Sequence, residues 1–505
     1  MRRHYLDNIR WITVGLVVLY HVIFMYNGVV TAGVIGPFWE VQYQDAVQYL
    51  LYPWFMVLLF LVSGMCARYY LEGHSDREFL AGRTRKLLVP STIGLFVFWW
   101  IQGYFNMAFS HVFDQSWEKV PKAVGYLLMV LSGVGILWYI QVLWVLSVLL
   151  VLLRKIEKDR LYAFGEKAAL PVLFLLVIPV WGAAQILNTP VICVYRFGIY
   201  GICFLLGYYV FSHEKVTDRL ARVSVPLAAA AVVLAVFYVR YYFGENYAEE
   251  PVVNSPFSIL YGWTVCLAVL GGMKRWGNRT SQKTEWLSKK SYGLYLFHYL
   301  ALSAAAYFLD RYTEVTGGAA YLLSGIAAYA GGYLLYELIK RIPVIRWCVI
   351  GENMFKDNLM MLRKMRGMTQ EELAEKIDVS RQTLSKYETG ESLPDVEKSR
   401  LIAEVLDVTL DELVNYEGGE TRLPFPPKGK HAFGMVKVGE KGQIVIPAKA
   451  RKIFDIKPGD VLMVLGDEER GIALLKEQDF MAMVQAMRHM ETQNCAIRCA
   501  EDCNM

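Results

Sequence analysis

The sequence predicts a polytopic α-helical membrane protein of about ten transmembrane helices, followed by a small all-α module and a small β-rich module. Three observations predict this. Hydrophobic residues make up 55% of the 505 positions and charged residues only 20%. With a mean hydropathy of +0.31, the chain is too apolar for a soluble protein, and disorder and a secreted disulfide scaffold are excluded. The charge is also divided: the first 350 residues hold 30 Lys and Arg against 20 Asp and Glu, and the last 155 hold 22 against 27. Net charge therefore passes from +10 to −5 along the chain, and all 13 Trp lie in the first part.

Apolar runs of the roughly 20 residues that cross a bilayer recur ten times before Ile350. They centre near Val18, Leu58, Val97, Val145, Leu176, Phe204, Leu234, Thr264, Leu296 and Ala327. An even number of spans puts both termini on one side. Lys and Arg are retained in short cytoplasmic loops. With the N-terminus inside, 25 of the 30 basic residues fall on cytoplasmic segments, among them Arg83, Arg85 and Lys86 after the second span. The expectation is a multi-pass protein of the bacterial cytoplasmic membrane with both termini cytoplasmic. No small-residue cleavage site follows the first apolar run, so that run reads as a retained helix.

Ionisable groups inside a membrane are costly and by default mark function. The first span carries Asp7, Arg10 and His21. At about 100° per residue, the steps from Arg10 to His21 make almost three turns, so the two share a face about 16 Å apart along the axis. Asp7 lies within about 60° of that stripe. This geometry suits a ligand with an anionic head and a reactive arm, such as acyl-coenzyme A entering from the cytoplasm. Arg10 would hold phosphate, and a neutral His21 would take the proton from an attacking hydroxyl. The plainer alternative has Arg10 snorkelling to lipid phosphate and His21 bonded to another span. His298, in the middle of the ninth span, could complete the site or be structural. Arg196, near the outer end of the sixth, could meet an anionic acceptor or snorkel.

These residues carry a likeness. The opening RRHYLDNIRWITVGLVVLYHVIFMYN resembles the start of the acyltransferase-3 family of integral membrane proteins, with its Arg-x10-His signature at Arg10 and His21. The likeness continues through FLVSGM at Phe60 to Met65, LAGRTRKLLVP at Leu80 to Pro90 and LWYIQVLW at Leu137 to Trp144. It closes with LSKKSYGLYLFHYL at Leu287 to Leu300 and RIPVIRW at Arg341 to Trp347. The resemblance implies an O-acyltransferase with no bound cofactor, moving an acyl group, often acetyl, from acyl-CoA to a hydroxyl of an envelope carbohydrate. It makes His21 the catalytic histidine and Arg10, Arg83 and Lys86 donor-binding, while Asp7 and His298 are further catalytic candidates from their places in the spans. The family's Arg-x-x-Arg motif falls on Arg83 and Lys86, so a point charge replaces a bidentate fork.

The tail begins after Gly351. In MTQEELAEKIDVSRQTLSKYETG, Thr369 and Glu372 form a capping box that starts one helix, with Leu373, Ala374 and Ile377 on its apolar face. A short turn leads to a second helix near Ser380 with Leu384 and Tyr387 inward, which is a helix-turn-helix signal. Residues 354–416 resemble the phage-repressor-type (XRE) helix-turn-helix family. That likeness puts Arg381, Gln382, Thr383 and Lys386 on the DNA-facing side of the recognition helix and Gln370 at a phosphate-contacting helix start. The segment holds 9 basic and 13 acidic residues, so bulk attraction to DNA is weak. Affinity then falls to the local cluster or to dimerisation.

Residues 417–430 are a Gly/Pro-rich linker. Residues 431–477 alternate short strands with turns and are too few to bury a good core alone. They resemble the AbrB/SpoVT swapped-hairpin family, in which two chains interlock. Lys437, Arg451 and Lys452 match its DNA-contacting positions, and Gln443 stands where an Arg is frequent. The resemblance implies a homodimer. Residues 478–505 read as a C-terminal helix whose Cys495, Cys499 and Cys503 match no zinc signature, so no metal is expected.

Three functions compete at this level: an acyltransferase with a DNA-binding, dimerising tail; a membrane-tethered transcription regulator with the bundle as sensor or anchor; and a transporter with a regulatory tail. Arg10, Arg83 and His21 favour the first, and no internal repeat supports the third. Met354 also sits where a free regulator could begin, so a fusion of two reading frames is a further expectation.

Overall fold

All ten apolar runs fold into helices, and apolar length is the reason. A computed structural model describes residues 3–30, 33–114, 120–189, 195–351, 354–389, 392, 394–415, 438–439, 442–467 and 471–476. It divides into two units, Met1–Asn353 and Met354–Met505. Among the described residues of the first unit, eight helices are long and apolar enough to cross a membrane: α1 (His4–Phe24), α2 (Tyr43–Leu71), α3 (Asp76–Phe109), α5 (Gly135–Glu157), α8 (Ser224–Tyr242), α9 (Pro256–Trp276), α10 (Gln282–Tyr312) and α11 (Gly317–Lys340). The expected fifth and sixth spans form the shorter apolar helices α6 (Leu170–Ala184) and α7 (Phe197–Phe211).

Beyond the ten runs, α4 (Lys122–Ser132) is a further apolar helix, since eleven apolar-rich residues fall short of the roughly twenty that a span needs. It is held against α3 by glycine. A Cβ at Gly103 would meet the Met129 carbonyl oxygen at 1.7 Å, and one at Gly133 would meet that of Trp99 at 2.3 Å. α2 and α7 meet the same way, at Gly64 and Gly207. Between helices with lipid on both sides there is no hydrophobic drive to associate, so close backbone approach supplies the attraction.

α1 is central, touching α2, α9, α10 and α11. Its Val18 is fully buried, as are Leu58 and Phe60 of α2 and Leu296 and Phe297 of α10. α8 lies at the rim and exposes Val225, Val232, Val233, Val236 and Phe237, a face that only lipid solvates well. α3 widens twice into π-helical turns, at Thr84–Leu88 and Leu95–Trp99. The unit closes with α12 (Pro343–Ile350).

The second unit contains α13 (Met354–Met365), α14 (Gln370–Lys376), α15 (Arg381–Thr389), α16 (Val396–Val405) and α17 (Leu410–Asn415). The Thr369–Glu372 capping box is present, and Leu373, Ala374, Ile377, Leu384 and Tyr387 are buried in one core with Phe355, Leu359 and Leu362. Further on come α18 (Ala448–Ile453) and an antiparallel hairpin of β1 (Leu462–Asp467) and β2 (Gly471–Lys476), in register at Val464 and Leu474. Among the described residues after 437, only Ala450 is a buried hydrophobic, while Val445, Val461, Val464 and Ile472 are exposed. The linker at 417–430, Lys437, and the terminal segment with Cys495, Cys499 and Cys503 lie outside the described residues.

Candidate functional site

Two cavities lie along one face of α1. The first, of about 540 Å³, is lined by Arg10 and Val14 and by Arg83, Arg85, Lys86 and Lys289. No Asp or Glu is among its described lining residues. Such a single-sign pocket concentrates anions. Arg85 and Lys86, both on the π-helical turn Thr84–Leu88, reach this cavity together. Arg85 and Lys289 are thus added to the expected set of Arg10, Arg83 and Lys86. Their basic character was legible, but their convergence depends on the packing of α3 and α10 beside α1.

The second cavity, of about 530 Å³, is lined by His21 with the rings of Tyr20, Phe24, Tyr52, Trp138 and Tyr200, and by the polar Asn106, Ser110 and Ser132. No Lys, Arg, Asp or Glu is among its described lining residues. Flat aromatic walls with a few hydroxyl and amide groups suit a polyol with apolar ring faces. Asp7 lines neither cavity. It stands at the start of α1, about 21 Å along the axis from His21.

His298 meets His21 directly. Its Nε2 is 3.1 Å from His21 Nδ1, and its Nδ1 is 2.8 Å from the Tyr295 carbonyl oxygen and 3.1 Å from that of Leu294. Carbonyls only accept, so His298 Nδ1 carries the proton, and in the neutral ring Nε2 is an acceptor. His21 Nδ1 also lies 2.8 Å from the Val17 carbonyl oxygen. Facing two acceptors, His21 Nδ1 must be the donor. A neutral His21 therefore carries its lone pair on Nε2, which has no partner among the described residues. His298 is fully buried and does not line the cavity, whereas His21 is half-buried and does. α11 packs tightly on the backbone that carries the His298 ring, where a Cβ on Gly332 would come 2.9 Å from His298 Cα. Arg196, by contrast, lines neither cavity. It is buried and donates to the Val253 carbonyl and to Asn254 Oδ1, at 3.2 and 2.8 Å.

In the second unit, Arg381, Gln382 and Lys386 are exposed on α15, and Thr383 is half-buried with its hydroxyl 2.8 Å from that of Ser380. Arg381 pairs with Glu371 at 2.7 Å. Gln370 turns inward, donating to buried Glu388 at 2.8 Å, and Arg363 holds the same carboxylate at 2.5 Å. The Arg363 guanidinium is pushed up from its ordinary value, first by its hydrogen bond to Glu388, against the opposing effect of burial. Arg451 and Lys452 are exposed on α18. Among the described residues no cluster of three His, Cys, Asp or Glu could hold a metal ion.

A family model described as an acyltransferase domain matches residues 3–337. One described as helix-turn-helix matches 359–413, and one described as antidote-toxin recognition MazE, bacterial antitoxin, matches 435–480. Curated relatives match through the helix-turn-helix segment. The HTH-type transcriptional activator BcrR of Enterococcus faecalis is 41% identical over 63 residues, 12% of this chain and 31% of that protein. The HTH-type regulator YqaE of Bacillus subtilis is 37% identical over 67 residues, 13% and 58% of the two chains. The cryptic phage CTXphi transcriptional repressor RstR of Vibrio cholerae is 40% identical over 58 residues, 12% and 52%. The chain thus spans 31% to 58% of the length of these relatives. No solved structure matches.

Proposed function

Since the chain belongs to the membrane acyltransferase family whose model covers residues 3–337, we propose that it transfers an acyl group from acyl-CoA, bound in the cationic cavity, to a carbohydrate hydroxyl in the aromatic one. The observation that carries this reading is the bare Nε2 of His21 in a cavity stacked above five cationic side chains. Arg10, Arg83 and Lys86, with Arg85 and Lys289, hold the phosphates of the donor. Its pantetheine arm spans the distance along α1 and presents the thioester to His21. As the acceptor oxygen attacks the thioester carbon, Nε2 takes the hydroxyl proton. The resulting imidazolium is stabilised through Nδ1 by the Val17 carbonyl and His298 Nε2. Collapse of the tetrahedral adduct breaks the C–S bond, and the proton on Nε2 passes to the leaving thiolate. The products are an ester and free coenzyme A, and His21 returns to its starting state.

The donor enters from the cytoplasm, because with both termini cytoplasmic the cationic cavity opens on the side that retains 25 of the 30 basic residues of the bundle. The tail follows on that side and binds DNA through Arg381, Gln382, Thr383 and Lys386, with Gln370 bracing buried Glu388. Lys437, Arg451 and Lys452 of the segment that follows the linker add basic contacts, and the tail regulates transcription as its relatives' names state of them. Mass spectrometry of envelope polysaccharides from cells expressing wild type or His21→Ala tests the chemistry. An acyl ester present with wild type and absent with His21→Ala is expected. Identical glycans would move the function to a membrane-tethered regulator whose bundle is a sensor or anchor.

A further inference from the structure

The two cavities share a wall. Four helices contribute to both in register, each crossing from one cavity to the other within about a turn. On α1 the change falls between Val14 and Val17, on α2 between Leu59 and Met56, and on α5 between Tyr139 and Trp138. On α10, Tyr295 lines both cavities at once. The cavities are therefore the two ends of a single route through the bundle, interrupted at one level.

At that level the side chains close on each other. Val14, Val17, Leu59, Met56 and Tyr295 are each less than a tenth exposed. The Tyr295 hydroxyl donates to the Ile136 carbonyl, and its ring stands edge-on to Tyr139 with centroids 5.7 Å apart. The Tyr139 hydroxyl in turn lies 3.1 Å from Ser63 Oγ. Two large rings are thus pinned at their far ends by hydrogen bonds, opposite one turn of α1 that offers only valines. His21 lies one turn beyond Val17, so whatever reaches its Nε2 from the cationic cavity passes this level.

We propose that Tyr295 and Tyr139, facing Val14 and Val17, form a collar that selects the acyl group by size. The inference rests on the transferase reading above. The acyl group leads the pantetheine arm through this level to His21. A straight chain, no wider than the arm itself, threads past the rings, whereas a branched or aromatic acyl group must displace a pinned side chain. Apolar walls of this kind discriminate by about tenfold or more for a single added carbon that does not fit. The same collar keeps water from running between the cavities while the donor is absent, since an apolar constriction without room for solvent does not wet.

The test uses membranes containing the full-length chain, supplied in turn with acetyl-, pivaloyl- and benzoyl-coenzyme A, with esters on the envelope polysaccharide counted by mass spectrometry. Wild type should favour the acetyl donor. Tyr295→Ala should raise benzoyl transfer relative to acetyl transfer by tenfold or more. Tyr139→Ala and Val14→Ala, on two other helices, should shift the ratio the same way and decide the matter if Tyr295→Ala does not fold. An active wild type with an unchanged ratio in every folded variant overturns the collar and leaves the transferase standing. No ester from any donor with wild type overturns the transferase reading itself.

Discussion

His21 was legible as a catalytic candidate because it shares a helix face with Arg10, and a helix face needs only one segment of sequence. His298 was a candidate too, from its depth in the ninth span, but its contact with His21 was not legible, since the two lie 277 positions apart and meet only through the packing of α10 against α1. In the proposed mechanism His298 is a positioning residue. Together with the Val17 carbonyl it holds the proton on His21 Nδ1, and an imidazole in the wrong tautomer offers no base to the acceptor. His298→Phe should lower kcat by about 10²-fold or more with little change in KM for acyl-CoA, the pattern of an interaction that matters only in the transition state. His298→Gln, whose amide oxygen can accept from His21 Nδ1, should recover part of that loss. Steady-state kinetics on the two variants decides it, because loss of packing alone would leave the glutamine no better than the phenylalanine. Asp7 shows the opposite limit of sequence reading: angular proximity on a wheel ignores the axial distance that removes it from both cavities.

Among the helices, close packing decides function as much as side chains do. α11 carries Gly332 against the backbone of His298, and a methyl there would stand 2.9 Å from His298 Cα and 3.0 Å from its backbone nitrogen. Neither atom belongs to a flexible side chain, so the helices themselves must part. Gly332→Ala should therefore lengthen the His298–His21 hydrogen bond and reduce kcat at least tenfold while the protein still inserts, with thermal stability down by about 1–3 kcal/mol as for other overpacked contacts. Kinetics alongside thermal unfolding in detergent would check it, and full activity in a destabilised variant would separate packing from positioning. Nothing in the local sequence distinguishes Gly332 from Gly331, whose Cβ would meet only the tip of Ala301 at 3.3 Å. α4 was missed for a related reason: its identity as a packed helix lies in the fit of Gly103 and Gly133 to α3, which a hydropathy window does not register.

Across the whole molecule, the two units meet their solvents differently. The bundle exposes apolar residues of α8 to lipid, which satisfies them. The hairpin exposes Val464 and Ile472 on β1 and β2, and water does not. Burying one such side chain is worth roughly 1.5–3 kcal/mol, so a second copy of the hairpin is the natural cover, in keeping with a swapped-hairpin homodimer. Light scattering in detergent should find the full chain dimeric, and Val464→Asp with Ile472→Asp should shift it towards monomer while leaving acyl transfer unchanged. A dimer that survives both substitutions would place the contact in the bundle instead.

The sequence by itself determined the number of apolar runs, the division of charge at the junction, the face shared by Arg10 and His21, and the capping box that starts α14. Each is a property of residues near one another along the chain, governed by helix periodicity and by the cost of putting charge in lipid. Only the tertiary structure decided that Arg83, Arg85 and Lys86 of α3 meet Arg10 and Lys289 in one cavity, that His298 backs His21, and that Tyr295 stands between the two cavities. Those depend on which helices touch and at what height, and that is set by the fit of small residues such as Gly64, Gly207 and Gly332 to distant backbones, a match between surfaces that no single segment encodes.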